Sequence, residues 1–158
     1  MKIIKRDGSK QSFMPNKILS RIKTQSIGLS IKAEKLFQRV IPHIKDGMTA
    51  TDIDEIIAFQ TADLQIEHPD YAILGGRILI SRQGKLLEVE EKEIDEKFDS
   101  FAASTFLTKY SQKDNDKRPI EIPSMMYNRV ASHLYPDSFK DRRKLLNELY
   151  AKRGNFAT

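Results

Sequence analysis

The 158-residue sequence contains no cysteine. This absence excludes a disulfide framework, catalysis by a thiol and any metal site with cysteine ligands within the chain. No apolar run approaches the roughly 18 residues that a membrane-spanning helix needs, and residues 1–8 lack the apolar run of a secretory signal. We therefore expect a cytoplasmic protein that has no membrane partner.

Common ligand-binding motifs are missing as well. The sequence has neither the glycine-rich loop of P-loop proteins nor the GxGxxG pattern of Rossmann domains. His43, His68 and His133 lie in unrelated contexts, without a second ligand at a zinc-binding spacing. No catalytic residue and no metal ligand is predicted, and the carboxylates Glu88, Glu90, Glu91 and Glu93 are interpreted as a solvated run.

The composition that remains is that of a globular domain, with 39% hydrophobic and 31% charged residues. The formal net charge of +5 is unevenly distributed. Residues 1–48 carry 11 Lys and Arg against 3 Asp and Glu, whereas residues 49–158 carry 16 against 19. A basic first third indicates either an anionic partner, such as a phosphate or a nucleic acid, or simply a solvated basic face.

The chain is predicted to begin with a hairpin. Residues 3–6 and 9–13 read as two short strands, because Asp7-Gly8 between them is a tight-turn pair and glycine accepts the positive φ that such a turn needs. Two strands alone are marginal in water, so they must lie on the helices that follow.

Helical spacing of apolar residues predicts the other elements. Helices are expected at residues 17–27, at 33–44 with a break near Pro42, from a capping box of Thr51 and Asp54, from His68-Pro69 to residues 84–85, at 94–107, at 124–134, and from Ser138 to a cap at Gly154. Gly75-Gly76 within the fourth of these costs about 1 kcal/mol per glycine relative to alanine, so another segment should pack closely there. The predicted fold is α+β and predominantly α, with a boundary near residue 86.

The residue types and their positions indicate three candidate phosphate-binding residues, which are Lys5, Arg6 and Lys17. A hairpin aims alternate side chains at one place, and a lysine at the start of the next helix reaches the same place together with the free N–H groups of that helix. Cations around exposed N–H groups form a cradle for a triphosphate.

These residues resemble the opening of an ATP-cone domain, the allosteric nucleotide-binding module at the N-terminus of ribonucleotide reductase large subunits. The resembling motifs are Ile3 to Ser9, Phe13, Asn16-Lys17-Ile18, Asp46 to Thr49, Thr51-Asp52-Ile53, Pro69-Asp70-Tyr71, Leu74 and Arg77. The resemblance covers residues 1–86 and implies a β-hairpin or three-stranded cap on a four-helix bundle, followed by further helices. Residues 118–131 resemble the segment that leads into the reductase's catalytic barrel, and Phe156-Ala157-Thr158 resembles its first strand.

The resemblance also implies which residues surround the nucleotide. They are Lys5, Arg6, Gln11, Lys17, Thr51, Asp54 and Lys85. Gln11 stands where the family often has a glutamate that reads the adenine edge, and its amide can both donate and accept. Thr51 follows Ala50, which replaces a family hydroxyl. Asp54 stands where some members have a histidine, and a carboxylate there is expected to repel a triphosphate.

The function implied is allosteric sensing of ATP against dATP, with Mg2+ and without a metal bound directly by the chain. Residues 1–86 would be the nucleotide-binding domain and residues 87–158 a helical segment leading into the barrel. A complete reductase makes deoxyribonucleotides for DNA replication and needs cysteines for its radical chemistry, so this chain is expected to be inactive alone. It would be a fragment, or one piece of a split gene of the kind known among phage reductases. Its partners would be the remaining catalytic chain, the small subunit or a second copy.

The alternative is a non-enzymatic module whose basic first third contacts nucleic acid or a protein. One variant is a transcriptional repressor with an ATP-cone, but that family carries a cysteine-ligated zinc ribbon, which this sequence lacks. The basic run at residues 140–144 also lacks interleaved aromatic residues that would stack on bases. Nucleic acid is therefore the less favoured partner.

Overall fold

A computed structural model describes residues 1–155, and most of these residues are helical. The antiparallel hairpin consists of β1 (Lys2–Ile4) and β2 (Lys10–Ser12). The helices are α1 (Pro15–Gln25), α2 (Ala33–Val40), α3 (Ala50–Leu64), α4 (Asp70–Leu87), α5 (Ser100–Thr105), α6 (Pro123–Leu134) and α7 (Phe139–Asn155). Short 3-10 turns at Ile41–His43 and Glu93–Lys97 and a π turn at Phe106–Tyr110 complete them. Within residues 1–155, no helix has the length and apolarity needed to cross a membrane.

The hairpin turn is wider than a two-residue Asp-Gly turn. Five residues connect the strands, with the Lys5 amide donating to the Ser9 carbonyl at 2.8 Å. Gly8 has the expected positive φ of +80°, and the Asp7 carboxylate accepts from the Ser9 amide at 2.8 Å. That side-chain bond stabilises the longer loop, because aspartate readily mimics a backbone turn.

The expected third strand is reduced to a single bridge. Ile4 pairs in parallel with Thr49, and its amide donates to the Met48 carbonyl at 2.9 Å. The chain enters α3 immediately afterwards, so this segment cannot extend the sheet. The predominantly α fold with a small N-terminal strand layer is otherwise confirmed.

Helices α1 to α4 enclose the first core. Its buried residues are Ile18, Ile22, Ala33, Leu36, Val40, Ile44, Ile53, Ile57, Ala58, Leu64, Tyr71, Leu74 and Ile78. The apolar stripe of α2 therefore packs in the same core as that of α3, as its helical spacing predicts. The break at Pro42 is also confirmed, because α2 ends at Val40 and a 3-10 turn follows.

The predicted capping box at the start of α3 was wrong by two residues. The N-cap is Thr49, whose hydroxyl accepts from the Asp52 amide at 3.1 Å while the Asp52 carboxylate accepts from the Thr49 amide at 2.8 Å. This pair leaves Asp54 a full turn inside the helix, where its side chain points into the protein and is buried.

Helix α4 lies between the first core and a second one. The buried residues of the second core are Ile80, Ile94, Phe98, Ala103, Phe106, Leu107 and Ile122. The close packing predicted from Gly75-Gly76 is present: a side chain at Gly75 would collide with Ser100 and Thr61, and one at Gly76 with the backbone of residues 98–99. These glycines therefore allow the downstream segment to lie directly on α4.

Two expectations about the downstream part were wrong. A continuous helix over residues 94–107 is not formed, because Asp99 caps a new helix by accepting from the Ala102 amide at 2.7 Å. Gly154 does not end α7, which includes it and runs to Asn155. The predicted barrel strand at Phe156-Ala157-Thr158 lies outside the described residues.

Candidate functional site

A buried carboxylate organises the charged centre of the first 87 residues. Asp54, on α3, is only 2% exposed. Its two oxygens accept from Nε and Nη2 of Arg21 on α1, at 2.5 and 3.0 Å. Nη2 of Arg6, in the hairpin turn, lies 3.4 Å from the same carboxylate. The hairpin, α1 and α3 are thus joined at one ion-pair cluster.

The sequence analysis missed Arg21. A signal for it was available, because Lys17 and Arg21 are one turn apart on α1 and so share a face of the helix. Planar two-point pairing with a carboxylate is also characteristic of arginine rather than lysine. Its partner Asp54 is 33 residues away along the chain, and the pairing depends on how α1 and α3 pack. The sequence alone therefore does not identify this carboxylate.

Lys85, an exposed residue in the last turn of α4, lies close enough to this cluster to interact with its charges. Partial burial, followed by the nearby charges of Arg21 and Arg6, lowers the pKa of Lys85, while Asp54 and Glu91 oppose that shift. Arg6 and Asp54 are two of the seven predicted site residues, and the structure brings them together; a third, Lys85, lies within electrostatic range of them but forms no ion pair with a described residue. We call Arg6, Arg21, Lys85 and Asp54 the cation cluster.

The other four predicted residues lie on the elements around the cation cluster. Lys5 and Lys17 are exposed, in the hairpin turn and on the first turn of α1. Gln11 is partly buried on β2, where its amide nitrogen lies 3.8 Å from the Met14 sulfur. Thr51 precedes Asp54 by three residues on α3 and therefore shares its side of the helix.

One carboxylate of the acidic run does not behave as a solvated residue. Glu91 is partly buried, whereas Glu88, Glu90 and Glu93 are exposed. Burial raises the pKa of Glu91, and a hydrogen bond from Ser81 and the charge of Lys85 act against that increase. The interpretation of residues 88–93 as uniformly solvated was therefore wrong at this position.

Much of the basic first third is already paired with acidic side chains. Besides the two arginines on Asp54, ion pairs join Lys23 to Glu34 at 2.7 Å and Arg39 to Asp63 at 3.3 Å, and Lys35 pairs with Glu67. The unpaired positive charge of residues 1–48 is therefore more localised than the number of lysines and arginines in the sequence implies.

Two of the three histidines have local partners. Nε2 of His43 lies 3.3 Å from the Gln60 amide nitrogen, and Nδ1 of His68 accepts from the Asp70 amide at 3.1 Å. In the part of the chain that the structure describes, no group of three or more histidine or acidic side chains is placed to hold a metal ion.

Residues 1–86, which carry this cluster, are similar to known proteins. The family model of the ATP cone domain matches residues 1–86. Ribonucleoside-diphosphate reductase large chain 2 of Saccharomyces cerevisiae is 42% identical over 88 residues, which make up 54% of this chain and 10% of the yeast protein.

Two further relatives match a similar stretch. The ribonucleoside-diphosphate reductase large subunits of Monkeypox virus and Danio rerio are 41% and 36% identical over 88 residues, again 54% of this chain and 11% of each relative. The match therefore spans about a tenth of the length of these proteins.

Proposed function

Because the chain belongs to the ATP-cone domain family, we propose that its residues 1–86 bind ATP or dATP as an allosteric effector. In this proposal the chain is the N-terminal regulatory part of a ribonucleotide reductase large subunit. The nucleotide changes the activity of the complete enzyme through unequal affinity for two arrangements of the assembly, since a ligand moves an equilibrium only in that way.

The observation that carries the proposal is the cation cluster. Arg6 and Arg21, from two separate elements, pair with one carboxylate, and Lys85 adds a third cation nearby, which leaves a local excess of positive charge beside the exposed start of α1. Guanidinium groups bind phosphate oxygens at two points, and a lysine adds a mobile point charge. Lys5 and Lys17, on the neighbouring turn and helix, would complete the phosphate contacts.

Asp54 has a positioning role in this proposal. Both of its oxygens are engaged by Arg21 and its charge is further compensated by Arg6, so it does not act as an isolated anion facing the ligand. Its function would be to hold the two guanidinium groups in place. The repulsion expected for an isolated carboxylate near a triphosphate is thereby reduced.

Gln11 and Thr51 would contact the uncharged parts of the effector, the glutamine through its amide and the threonine through its hydroxyl. Mg2+ would accompany the nucleotide as the counterion of its phosphates rather than bind to protein ligands. The reduction of ribonucleotides would require the remaining catalytic chain and the small subunit. This cysteine-free chain is expected to show no reductase activity by itself.

Replacement of Lys17 tests the proposed site. Lys17→Ala should weaken ATP binding to the full chain by about 1.5–3 kcal/mol, the range for a hydrogen bond to a charged group. Calorimetric titration with ATP and with dATP measures the change. Lys23→Ala is the matched control, because Lys23 lies on the same helix and pairs with Glu34. Equal affinities in the two variants would remove Lys17 from the site.

A second titration separates the two classes of function. In the alternative, the basic first third binds nucleic acid, and duplex DNA should then bind with an affinity that falls steeply with salt. The nucleotide proposal expects saturable binding of ATP and no comparable binding of DNA. Binding of duplex DNA alone would replace the proposal by the alternative.

The exposed apolar residues of the downstream part support a partner chain. Phe101, Tyr110, Leu134 and Phe139 are 81%, 64%, 58% and 71% exposed. Phe101 and Tyr110 line the same pocket, and exposed apolar patches mark interaction surfaces. We expect the chain to self-associate or to capture the catalytic remainder of a reductase. Sedimentation at several concentrations and co-expression with a downstream reductase chain measure the two outcomes. A monomer that captures no such chain would contradict this part of the proposal.

A further inference from the structure

Arg77 on α4 binds three backbone carbonyls that belong to two other segments. Its Nη1 donates to the carbonyls of Gln25 and Ile27 at the end of α1, at 3.0 and 2.8 Å. Its Nε donates to the carbonyl of Glu96, in the 3-10 turn that follows α4, at 3.2 Å. Because a guanidinium is planar and its donors point in fixed directions, these bonds hold the end of α1 at a set position relative to α4.

The C-terminal end of α1 requires such a partner. The last four carbonyls of a helix accept no hydrogen bond within it, and the helix dipole places a partial negative charge there. Lys23, the basic residue of the last turn, is exposed and is paired with Glu34 at 2.7 Å. Arg77 therefore supplies from α4 a cation that binds the end of α1 directly.

Buried apolar side chains hold the middle of α1 but not its end. Ile18 and Ile22 are the buried residues of the helix, whereas the Ile27 side chain just beyond it is 71% exposed. The Gln25 amide donates to the Ser81 hydroxyl of α4 at 3.3 Å. The structure thus describes three polar bonds between residues 23–27 and α4, and two of them come from Arg77.

Helix α1 carries two cations of the proposed site. Arg21 donates to both oxygens of Asp54, at 2.5 and 3.0 Å, and Lys17 lies one turn before it. Gln25 lies one turn after Arg21, so residues 17 and 25 are about 12 Å apart along the helix axis. Arg77 therefore binds α1 at the end opposite to Lys17. A displacement of that end would tilt the helix and move both cations.

We propose that Arg77 is a positioning residue of the nucleotide site: it fixes the end of α1 on α4 and thereby holds Lys17 and Arg21 in the places where they bind the phosphates. This inference rests on the proposed function. Glu96 lies outside the family match at residues 1–86, so the segment after α4 shares in this anchoring. Effector affinity is then set partly by a residue that does not touch the effector.

The test compares charge-matched variants of the full chain by calorimetric titration with ATP. Arg77→Gln removes the guanidinium bonds and should weaken ATP binding about three- to tenfold, within the range for residues that act on a site through others. Arg39→Gln removes the same charge from an exposed arginine that pairs with Asp63, and should leave the affinity unchanged within about twofold. Circular dichroism establishes that each variant folds.

Arg77→Lys separates position from charge. Lysine keeps the charge, but its compact ammonium group does not reproduce a planar contact with three carbonyls, so this variant should also weaken ATP binding. It replaces Arg77→Gln in every arm of the test if the latter does not fold. Wild-type affinity in Arg77→Lys would overturn the inference, because charge alone would then account for the role of Arg77.

A double-mutant cycle distinguishes positioning from a general loss of stability. In the Lys17→Ala background, the effect of Arg77→Gln on ATP affinity should be smaller by at least about twofold, since one of the cations that Arg77 positions is already absent. In the Lys5→Ala background the effect should be undiminished, because Lys5 lies in the hairpin turn and not on α1.

Hydrogen exchange provides a readout without ATP. The Ser26 amide, which donates to the Ile22 carbonyl at 2.9 Å, should exchange faster in Arg77→Gln than in the wild type. Unchanged exchange at Ser26, or wild-type protein that binds ATP with equal affinities for Arg77→Gln and Arg39→Gln, would overturn the positioning role and leave the nucleotide proposal intact. Absence of ATP binding in the wild type would overturn both.

Discussion

At the residue scale, the decisive interaction is the pairing of Asp54 with Arg21. A carboxylate that is 2% exposed is costly to bury, and the two-point contact with Arg21 offsets that cost. The Arg21 side chain is itself only 17% exposed. The pair therefore matters to folding as well as to the charge of the proposed site.

Removal of Arg21 should destabilise the protein markedly. Arg21→Ala is expected to lower the free energy of unfolding by about 3 kcal/mol, at the lower end of the range for breaking a buried pair because Arg6 still reaches Asp54. Urea denaturation measures this change. Lys23→Ala, which breaks an exposed pair on the same helix, should cost at most about 1 kcal/mol. Similar losses for the two variants would show that the Arg21 pair has no special role.

At the element scale, α4 is the shared support of both cores. It contributes Leu74 and Ile78 to the first core and Ile80 to the second. It also ends at Leu87, beyond which the Val89 amide donates back to the Gly84 carbonyl at 3.0 Å. A shift of α4 would therefore disturb both cores.

Two glycines of α4 provide a matched test of the close packing. Gly76→Ala should lower the free energy of unfolding by about 1–3 kcal/mol, because the new Cβ would collide with the backbone of residues 98–99. Gly84→Ala meets only ordinary contacts, the nearest at 3.4 Å, and should be neutral or stabilising by up to about 1 kcal/mol through helix propensity. Thermal unfolding compares the two, and a stabilised Gly76→Ala variant would contradict the described packing.

At the scale of the whole molecule, the boundary near residue 86 remains a prediction. Residues 1–86 contain every buried residue of the first core, which favours their independent folding. The same fragment leaves Ile80, fully buried in the intact chain, without its partners from the second core. The two domains would therefore be separable but mutually stabilising.

The fragment of residues 1–86 should unfold cooperatively, with a melting temperature at least about 5 °C below that of the full chain. The reason is that the fragment exposes the Ile80 side chain, whose burial contributes about 1.5–3 kcal/mol. Calorimetry of both forms measures the difference. Limited proteolysis of the full chain should yield a protected fragment ending near residues 86–95. A fragment without a cooperative transition, or a digest without that product, would place the boundary elsewhere.

The sequence by itself determined the hairpin, the four helices of residues 1–86 and the apolar stripe of α2. These features depend on local rules: the spacing of Leu36, Val40 and Ile44, the break at Pro42 and the turn at Gly8. The exact helix starts were harder to predict, because more than one residue could cap a helix. Thr49 and Thr51 each precede an aspartate by three residues, and Asp99 starts a new helix within a continuous apolar pattern.

Only the tertiary structure decided how the charges of the site are paired. Arg21 and Asp54 are 33 residues apart along the chain. Charge pairing depends on distance in space and on burial, and neither is encoded in a local pattern. For that reason the sequence could indicate Arg6 and Lys85 but not Arg21, and only the fold showed that Asp54 pairs with both arginines.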